Sequence, residues 1–249
     1  MKFMAAFRIV PVLDVKNGVA VHAVKGQRDA YVPVSCAWCK DGNVHDLVKG
    51  YHDIFSLNDL YVADLDAITR GTFTTNLYPD LVAMVPGKIM IDAGITSAAA
   101  FHAIKGFNFA EIIMGTESVA TFSVFKQAIK INRGATIISL DVKDGHVMSP
   151  ITSLANASVR DAFHTIEALS PGAVIYLDLS GVGAKRGVNP GAMDLAREAT
   201  VSLYLGGGVK SAADLHDARD AGFRGVLLAT ALQERLINPS EIQDFADNP

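Results

Sequence analysis

A sequence segment that occurs twice is the feature that most constrains this chain. Residues 13–18 (LDVKNG) recur almost unchanged as residues 140–145 (LDVKDG), and each copy follows an apolar run typical of a β-strand. Residues 92–116 also align without gaps on residues 206–230, with several glycine, serine, histidine and threonine positions shared. A repeat that covers half of the chain predicts two similar halves rather than a chance likeness between two short units.

The order of the predicted elements indicates the fold. Strand–helix–strand units imply a parallel sheet, and eight such units in two matching halves favour a closed (β/α)₈ barrel, a TIM barrel of the α/β class, over an open doubly wound sheet. No linker-like stretch divides the chain, so residues 1–249 are predicted to form a single domain with half-barrels at about 8–130 and 131–249. The predicted strands are 8–14, 59–65, 88–93, 111–115, 135–141, 173–178, 201–205 and 225–229. The predicted helices are about 43–56, 74–85, 97–106, 118–131, 157–169, 190–198, 210–221 and 238–247.

Composition excludes several classes of function. A net charge of −4 gives no overall basic footprint for nucleic acid, and the apolar stretches are too short and too interrupted by charge to span a bilayer. The first residues lack the long apolar stretch of a secretory signal, so we expect a cytoplasmic protein with no membrane partner. Cys36 and Cys39 have no second Cys or His pair at a matching spacing, which favours a reduced pair in a loop over a metal site. The role of these cysteines and of Trp38 stays open.

The duplicated aspartates are the candidate catalytic residues. Active sites of such barrels lie at the C-terminal ends of the strands, where Asp14 and Asp141 would face each other across the two halves. Two such carboxyl groups can act as general acid and general base if one of them stays protonated, because of burial or a neighbouring negative charge. Lys16 and Lys143 share a strand face with them and could tune the carboxylates or bind an anion. In the alternative interpretation, each Asp merely anchors its turn through side-chain hydrogen bonds.

A glycine-rich turn is the candidate anion site. Gly206, Gly207 and Gly208 follow the predicted seventh strand, where backbone N–H groups can approach a phosphate. Ala229 and Thr230 end the eighth strand and could add an N–H and a hydroxyl group; the alternative is a plain turn. The matching turn of the first half reads DAG (residues 92–94), and a carboxylate there would repel a phosphate dianion. The two halves are therefore not expected to be equivalent binding sites, although Gly94 and Thr116 are retained as candidate contacts.

These features together resemble the HisA/HisF superfamily of histidine biosynthesis. The resemblance covers residues 8 to 235 and includes the strand ending LDVKxG, the VADLD strand, the glycine-rich turn and the half-barrel repeat. The superfamily contains phosphoribosylformimino-AICAR ribotide isomerase and the cyclase subunit of imidazole glycerol phosphate synthase. The resemblance implies a barrel that acts on phosphorylated, ribose-derived substrates without a metal or organic cofactor. It also implies that Asp14 is the general base and Asp141 the general acid of an Amadori rearrangement.

The chain departs from that superfamily at several positions. Leu177 stands where both enzymes have a catalytic Thr, and Val182-Gly183-Ala184 replaces the DGT that follows it. His22 replaces the usual Arg or Lys, and the loop at 146–156 has no Trp of the kind that the isomerase stacks on its substrate. A bisphosphorylated ribotide would thus be poorly matched at several contacts. The sequence therefore resembles a divergent relative of that superfamily more than the histidine-pathway isomerase itself.

Three functions remain open at this point. The first is an isomerase-like enzyme for a phosphorylated sugar or sugar-amine, for which one-carbon-carrier cofactor biosynthesis is one interpretation of the resemblance. The second is a cyclase or lyase that would need a glutaminase partner at the N-terminal ends of the strands. The third is a barrel that binds a phosphorylated metabolite without catalysis. The sequence leaves open whether copies of the chain form a homo-oligomer. Besides Asp14 and Asp141, the predicted substrate contacts are Lys16, His22, Lys143, Asp178, Gly94, Thr116, Gly206, Gly207, Gly208, Ala229 and Thr230.

Overall fold

The computed structural model of the protein describes residues 6–247, and it contains a closed barrel of eight parallel strands. Each predicted strand is present within a few residues of its expected bounds. Three short strands add antiparallel extensions to β1 and β7, within the two duplicated regions. The barrel strands are β1 (Arg8–Lys16), β4 (Leu60–Asp64), β5 (Ile89–Asp92), β6 (Glu111–Gly115), β7 (Thr136–Lys143), β9 (Ala173–Asp178), β10 (Leu203–Gly206) and β11 (Gly225–Leu228), and the extensions are β2 (Val19–His22), β3 (Val32–Pro33) and β8 (His146–Val147).

The barrel closes where its first and last strands pair. β1 lies parallel to β4 on one side and to β11 on the other, where Arg8 is in register with Gly225 and Pro11 with Leu228. Gly225 packs so closely on the carbonyl oxygen of Arg8 that a Cβ at this position would overlap it. The side-chain-free residue therefore permits the approach of the two strands that complete the barrel.

Helices cover the outside of the barrel. Several begin at side chains that cap the free N–H groups of the first turn: Asn43 for α1, Ser97 for α4, Ser158 for α7 and Ser211 for α9. The helices are α1 (Val44–Phe55), α2 (Leu65–Arg70), α3 (Tyr78–Met84), α4 (Ala98–Lys105), α5 (Phe122–Ile131), α6 (Thr152–Ala155), α7 (Val159–Glu167), α8 (Pro190–Glu198), α9 (Ala212–Ala221), α10 (Thr230–Gln233) and α11 (Pro239–Asp247). None of these helices is long and apolar enough to cross a membrane.

Alternating side chains divide the core into two layers. One face of each strand packs under the helices, and the other fills the barrel interior, as a two-residue period requires. The interior layer holds Val10, Tyr61, Met90, Ile113, Ile137, Ile175, Tyr204 and Leu227. The register of β1 continues this inward face from Val10 through Val12 to Asp14, and that of β7 continues it from Ile137 through Ser139 to Asp141. The alternation thus directs both duplicated carboxylates to the inside of the barrel mouth.

Short elements that the hydrophobic pattern did not predict lie at the same end. The stretch at 22–42 contains β3 and a 3₁₀ helix at Arg28–Ala30, and the stretch at 144–157 contains β8 and α6. The helix predicted at 74–85 is shorter, at Tyr78–Met84, because the Asp64 carboxylate accepts hydrogen bonds from the N–H of Thr74 and the hydroxyl of Tyr78 and holds the preceding residues in a turn.

Candidate functional site

A cavity opens at the C-terminal ends of the barrel strands. Its open space, including the part that is continuous with solvent, is about 980 Å³. Carboxylates from β1, β5 and the turn after β6 line one side, and the glycine turns after β9 and β10 line the other. The lining includes Asp14, Arg28, Tyr31, Tyr61, Asp92, Glu117, Leu177, Gly181, Gly206, Gly207, Gly208, Ala229 and Thr230.

Asp14 presents its carboxyl group to this cavity. The described part of the chain provides no hydrogen bond to that carboxyl group, which is unusual for an acid on the inner face of a barrel. Burial raises the pKa of Asp14 to about 7, Arg28 opposes the rise and Asp92 adds to it. A group that titrates near neutral pH and is free to receive a proton has the properties of a general base.

Asp141 is more enclosed than its counterpart. It is 2% exposed and does not line the cavity. Its carboxyl group accepts hydrogen bonds from the hydroxyl of Ser139 at 2.6 Å, from the N–H of Glu117 at 3.0 Å and from the hydroxyl of Thr116 at 3.4 Å. Burial and the charge of Glu117 raise the pKa of Asp141 to about 8, although the bonds from Ser139 and Glu117 oppose this. Burial therefore favours the protonated form of this carboxyl group, the form that a general acid uses.

Thr116 orients Asp141 rather than lining the cavity. Its hydroxyl oxygen accepts from the backbone N–H of Asp141 at 3.0 Å, in addition to the longer contact with the carboxyl group. Thr116 is fully buried. The predicted substrate contact is thus a residue that positions a carboxyl group.

Asp92 extends the acidic side of the cavity. It ends β5, is 7% exposed and accepts hydrogen bonds from the N–H of Gly94 at 3.1 Å and, more weakly, from the hydroxyl of Tyr61 at 3.4 Å. Burial raises the pKa of Asp92 to about 6, the Gly94 bond lowers it, and the charge of Glu117 raises it. Gly94 packs against Ile68, so that a Cβ would lie 2.5 Å from the Ile68 Cα, and its N–H serves Asp92.

A single cation from the first long loop faces these acids. Arg28 forms an ion pair with Glu117 and also interacts electrostatically with Asp14 and Asp92. The loop is held by Lys16, whose ammonium group donates to the carbonyl oxygen of Arg28 at 2.7 Å. The structure therefore places Lys16 as an anchor for the Arg28 loop and not in the cavity.

The opposite side of the cavity offers backbone N–H groups. Gly207 and Gly208 both have φ of +89°, and a Cβ at Gly208 would lie 2.5 Å from the carbonyl oxygen of Gly187. Close packing of the turn and its left-handed backbone together require glycine here. Among the described residues, neither glycine N–H donates a hydrogen bond to a protein acceptor. These free N–H groups beside Ala229 and Thr230 have the character of an anion site.

Leu177, the residue at which the superfamily resemblance implies a threonine, lies on β9. It points into the cavity from β9, and a Cβ at Gly206 would lie 2.7 Å from its Cδ1 atom. The side-chain-free Gly206 thus makes room for the bulkier Leu177. An apolar side chain at this point supplies shape to the cavity but no proton and no hydrogen bond.

The remaining predicted contacts lie outside the cavity lining. His22 is half-buried, with Nδ1 3.3 Å from the side-chain oxygen of Gln233. Asp178 accepts from the N–H of Gly181 at 3.0 Å and so shapes the turn after β9. Lys143 is half-buried at the end of β7. The structure brings together Asp14, Asp92 and the glycine turn, and it places Lys16, His22, Lys143, Asp178, Gly94, Thr116 and Asp141 behind or beside the cavity wall.

Sequence reasoning did not find five polar residues of the cavity, one of which, Lys185, pairs with Glu234. Arg28 and Tyr31 belong to the long first loop, which shows no periodicity that would place them. Tyr61 has the apolar character of an interior strand residue. The repeat could have identified Glu117 as a site residue, because Glu117 directly follows the Gly115-Thr116 end of the first-half repeat. The second half has Ala231 at the equivalent position.

The cysteine pair lies within the long first loop. Cys36 and Cys39 are free thiols, and burial raises the pKa of the Cys39 thiol to about 11. Trp38 packs edge-on against Tyr51 and Phe55, and Arg235 lies over its ring. Among residues 6–247, no group of three or more His, Cys, Asp or Glu side chains has the arrangement of a metal site. Trp38 is therefore a packing anchor between the first loop and α1.

Comparisons with known proteins agree with the geometry. Residues 8–238 match the family described as "Histidine biosynthesis protein". An uncharacterized protein of Methanocaldococcus jannaschii is 29% identical over 238 residues, which cover 94% of this chain and 97% of that protein. The 1-(5-phosphoribosyl)-5-((5-phosphoribosylamino)methylideneamino)imidazole-4-carboxamide isomerase of Thermoanaerobacter pseudethanolicus is 26% identical over 229 residues, 90% of this chain and 93% of that enzyme. The isomerase of the same name from Pseudomonas putida is 26% identical over 260 aligned positions, 96% of this chain and 98% of that enzyme.

Proposed function

The chain belongs to the family of histidine biosynthesis proteins, and on that premise we propose that it is an isomerase acting on a phosphorylated sugar or sugar-amine. The observation that carries the proposal is the pair of inward-facing aspartates on β1 and β7, one free in the cavity and one held in a hydrogen-bond cage. The related isomerases are similar to this chain over nearly its whole length.

Asp14 and Asp141 divide the proton transfers between them. Asp141, protonated, delivers its proton to the ring oxygen as the sugar ring opens. Asp14, ionised, then takes the proton from the carbon next to the carbonyl or imine group and returns it to the carbonyl or imine carbon, which completes the isomerisation, and solvent reprotonates Asp141. The acid step requires the Glu117 side chain to turn aside, because Glu117 lines the cavity and Asp141 does not. The free N–H groups of Gly207 and Gly208 hold the phosphate that anchors the substrate.

The substrate is not that of the histidine pathway. Leu177 removes a hydroxyl group that the related reaction uses, and Asp92 places a carboxylate at the first-half turn. Loss of a single well-placed contact to the transition state typically lowers the rate by about 10²-fold or more. Expression of this chain at ordinary levels in a histidine auxotroph lacking the isomerase should therefore not restore growth, and restored growth would contradict the proposal.

A cyclase fed with ammonia by a partner is less well supported. Such an enzyme needs a passage from the N-terminal ends of the strands to the cavity. The guanidinium group of Arg8 lies at that end, 2.8 Å from Asp59 and 2.7 Å from the hydroxyl of Tyr204. Glu111 adds a further ion pair at 3.3 Å. This packed ionic cluster favours a reaction that takes its substrate from the cavity alone.

Proton exchange provides a test that does not require the natural substrate. Glucosamine 6-phosphate, glucose 6-phosphate and ribose 5-phosphate are incubated with the protein in D₂O, and exchange of the carbon-bound proton is followed by NMR. Asp14→Asn and Asp141→Asn should each slow exchange by about 10²- to 10⁴-fold. The double variant should be little slower than the slower single variant, because groups that act as a unit are non-additive.

Asp144→Asn is the matched control, since Asp144 follows the same strand but is exposed and pairs with Ser180. Its exchange rate should equal that of the unmodified protein. Binding of the sugar phosphates without any exchange would contradict catalysis and favour a binding barrel. Activity that falls only in step with the melting temperature would favour the turn-anchor interpretation of the two aspartates.

A further inference from the structure

The two ends of the cavity have opposite electrostatic character. At one end, Gly207 and Gly208 present free N–H groups and no side chain. At the other end, Asp92 and Glu117 line the same cavity, with Asp14 beside them. The halves of the barrel are repeats in sequence, yet Asp92 stands at the position that Gly206 occupies in the second half. One end therefore attracts an anion and the other repels it.

The acidic end has more negative groups than its cation can neutralise. Asp14, Asp92 and Glu117 line this part of the cavity, and Arg28, the cation that interacts with them, is already paired with Glu117. The facing Tyr31 and Tyr61 are neutral, because burial raises both of their phenol pKa values, that of Tyr31 to about 12. A second phosphate here would meet carboxylates at close range in a partly dry site, where repulsion is strong.

We propose that the substrate carries one phosphate and one amino group, with the phosphate at Gly207 and Gly208 and the amino group at Asp92 and Glu117. This assignment rests on the proposed function and specifies its substrate class as a monophosphorylated sugar-amine. It excludes a bisphosphate and an amine-free sugar phosphate as the preferred ligand.

The hydrogen-bond capacity of Asp92 favours an ammonium group over a neutral hydroxyl group. One oxygen of Asp92 accepts from Gly94, and within residues 6–247 the other has only the long contact of 3.4 Å with Tyr61. An ammonium group brings three donors and a charge, and charge-assisted hydrogen bonds are roughly twice as strong as neutral ones. Burial and Glu117 keep the pKa of Asp92 at about 6, so the carboxylate is ionised at pH 7.5 and ready for a cation.

A matched pair of ligands tests this assignment. Glucosamine 6-phosphate and glucose 6-phosphate differ only by an amino in place of a hydroxyl group, and fructose 1,6-bisphosphate adds the second phosphate. Calorimetric titration at pH 7.5 should give glucosamine 6-phosphate at least about tenfold tighter binding than glucose 6-phosphate, a difference that a single charge-assisted contact can supply. The bisphosphate should bind most weakly. Equal affinity for the matched pair, tighter bisphosphate binding or no binding of the amine would overturn the proposal.

Asp92→Asn should reduce the preference for the amine over glucose 6-phosphate to about threefold or less. Asp29→Asn is the control, because Asp29 is an exposed carboxylate of the same mouth that does not line the cavity. If Asp92→Asn does not fold by thermal melting, Glu117→Gln provides the second test with the same expected result. Retention of the full preference in a folded Asp92 or Glu117 variant would overturn the assignment.

Asp92→Gly offers a converse measurement. It rebuilds at the first-half turn the glycine that the second half has at Gly206, and it should raise affinity for fructose 1,6-bisphosphate relative to glucosamine 6-phosphate. All of these readouts are binding constants. The amine preference can be absent while proton exchange still depends on Asp14, which would contradict only this assignment. Proton exchange can be absent while the amine preference is present, which would contradict only the proposed function.

Discussion

The backbone N–H of Glu117 donates to Oδ2 of Asp141 at 3.0 Å, while the Glu117 side chain lines the cavity and pairs with Arg28. One residue thus joins the enclosed acid to the loop cation. Its N–H stabilises the ionised form of Asp141, and its charge favours the protonated form. The raised pKa of Asp141, about 8, shows that burial together with that charge prevails. Movement of the Arg28 loop would therefore change both the access to Asp141 and its tendency to give up a proton.

Gly115→Ala should impair catalysis without unfolding the protein. A Cβ at Gly115 would lie 2.9 Å from Oδ2 of Asp141, closer than real contacts allow, and the carboxyl group must shift to accommodate it. Loss of its alignment should lower the exchange rate by about tenfold or more, since small misplacements of reacting groups are costly. Exchange rate and melting temperature are measured together. An unchanged rate would show that the position of Asp141 does not matter to the reaction.

The rate should depend on pH in a bell shape with its maximum between about 7 and 8. The base must be ionised, so the rate rises as pH passes the pKa of Asp14, about 7, and the acid must be protonated, so it falls above the pKa of Asp141, about 8. The two apparent pKa values obtained from the rising and falling sides of this profile belong to the interacting set of carboxyl groups rather than to single residues. A rate that stays level from pH 6 to 9 would contradict this assignment of roles.

Asp14→Asn should stabilise the protein at high pH. Because folding raises the pKa of Asp14 from 3.8 to about 7, the folded state binds the extra proton. The associated stability is complete below about pH 4 and is lost as pH rises through 7. Asparagine carries no such cost, so the variant should gain up to about 4 kcal/mol at pH 8, or about 8–16 °C in melting temperature, and little at pH 4. A lower melting temperature at pH 8 would instead indicate a structural anchor.

An oxyanion soaked into crystals should bind at Gly207 and Gly208, beside Thr230, and not at the Asp92 turn. The glycine turn offers free N–H groups, whereas Asp92 offers a carboxylate. Gly207→Ala is the matched change, because a Cβ there would overlap the carbonyl oxygen of Asp178 and force the turn to move. Sulfate density at the Asp92 turn with an empty glycine turn would contradict the prediction.

The fold and the pair of inner aspartates could be predicted because they depend on periodic patterns. The repeat of LDVK at strand ends determined the inward face of Asp14 and Asp141, and the aligned turns predicted the contrast between Asp92 and Gly206. The chemistry of the loops could not be predicted in the same way. Arg28 meets Glu117 across 89 residues of sequence, and Lys16 holds that loop through a backbone oxygen. Such contacts follow from loop conformation, which carries no periodic signal.

The pairing of Arg8 with Gly225 has a consequence for how the chain is made. The first strand of the barrel obtains its last neighbour only when residues 225–228 have been synthesised. At roughly 5–20 residues per second, translation takes about 10–45 s to supply them. Throughout that interval β1 has an unpaired edge that can join another nascent strand. During translation the barrel therefore cannot close until β11 is available to pair with β1. The nascent chain is most prone to aggregate just before that strand emerges from the ribosome.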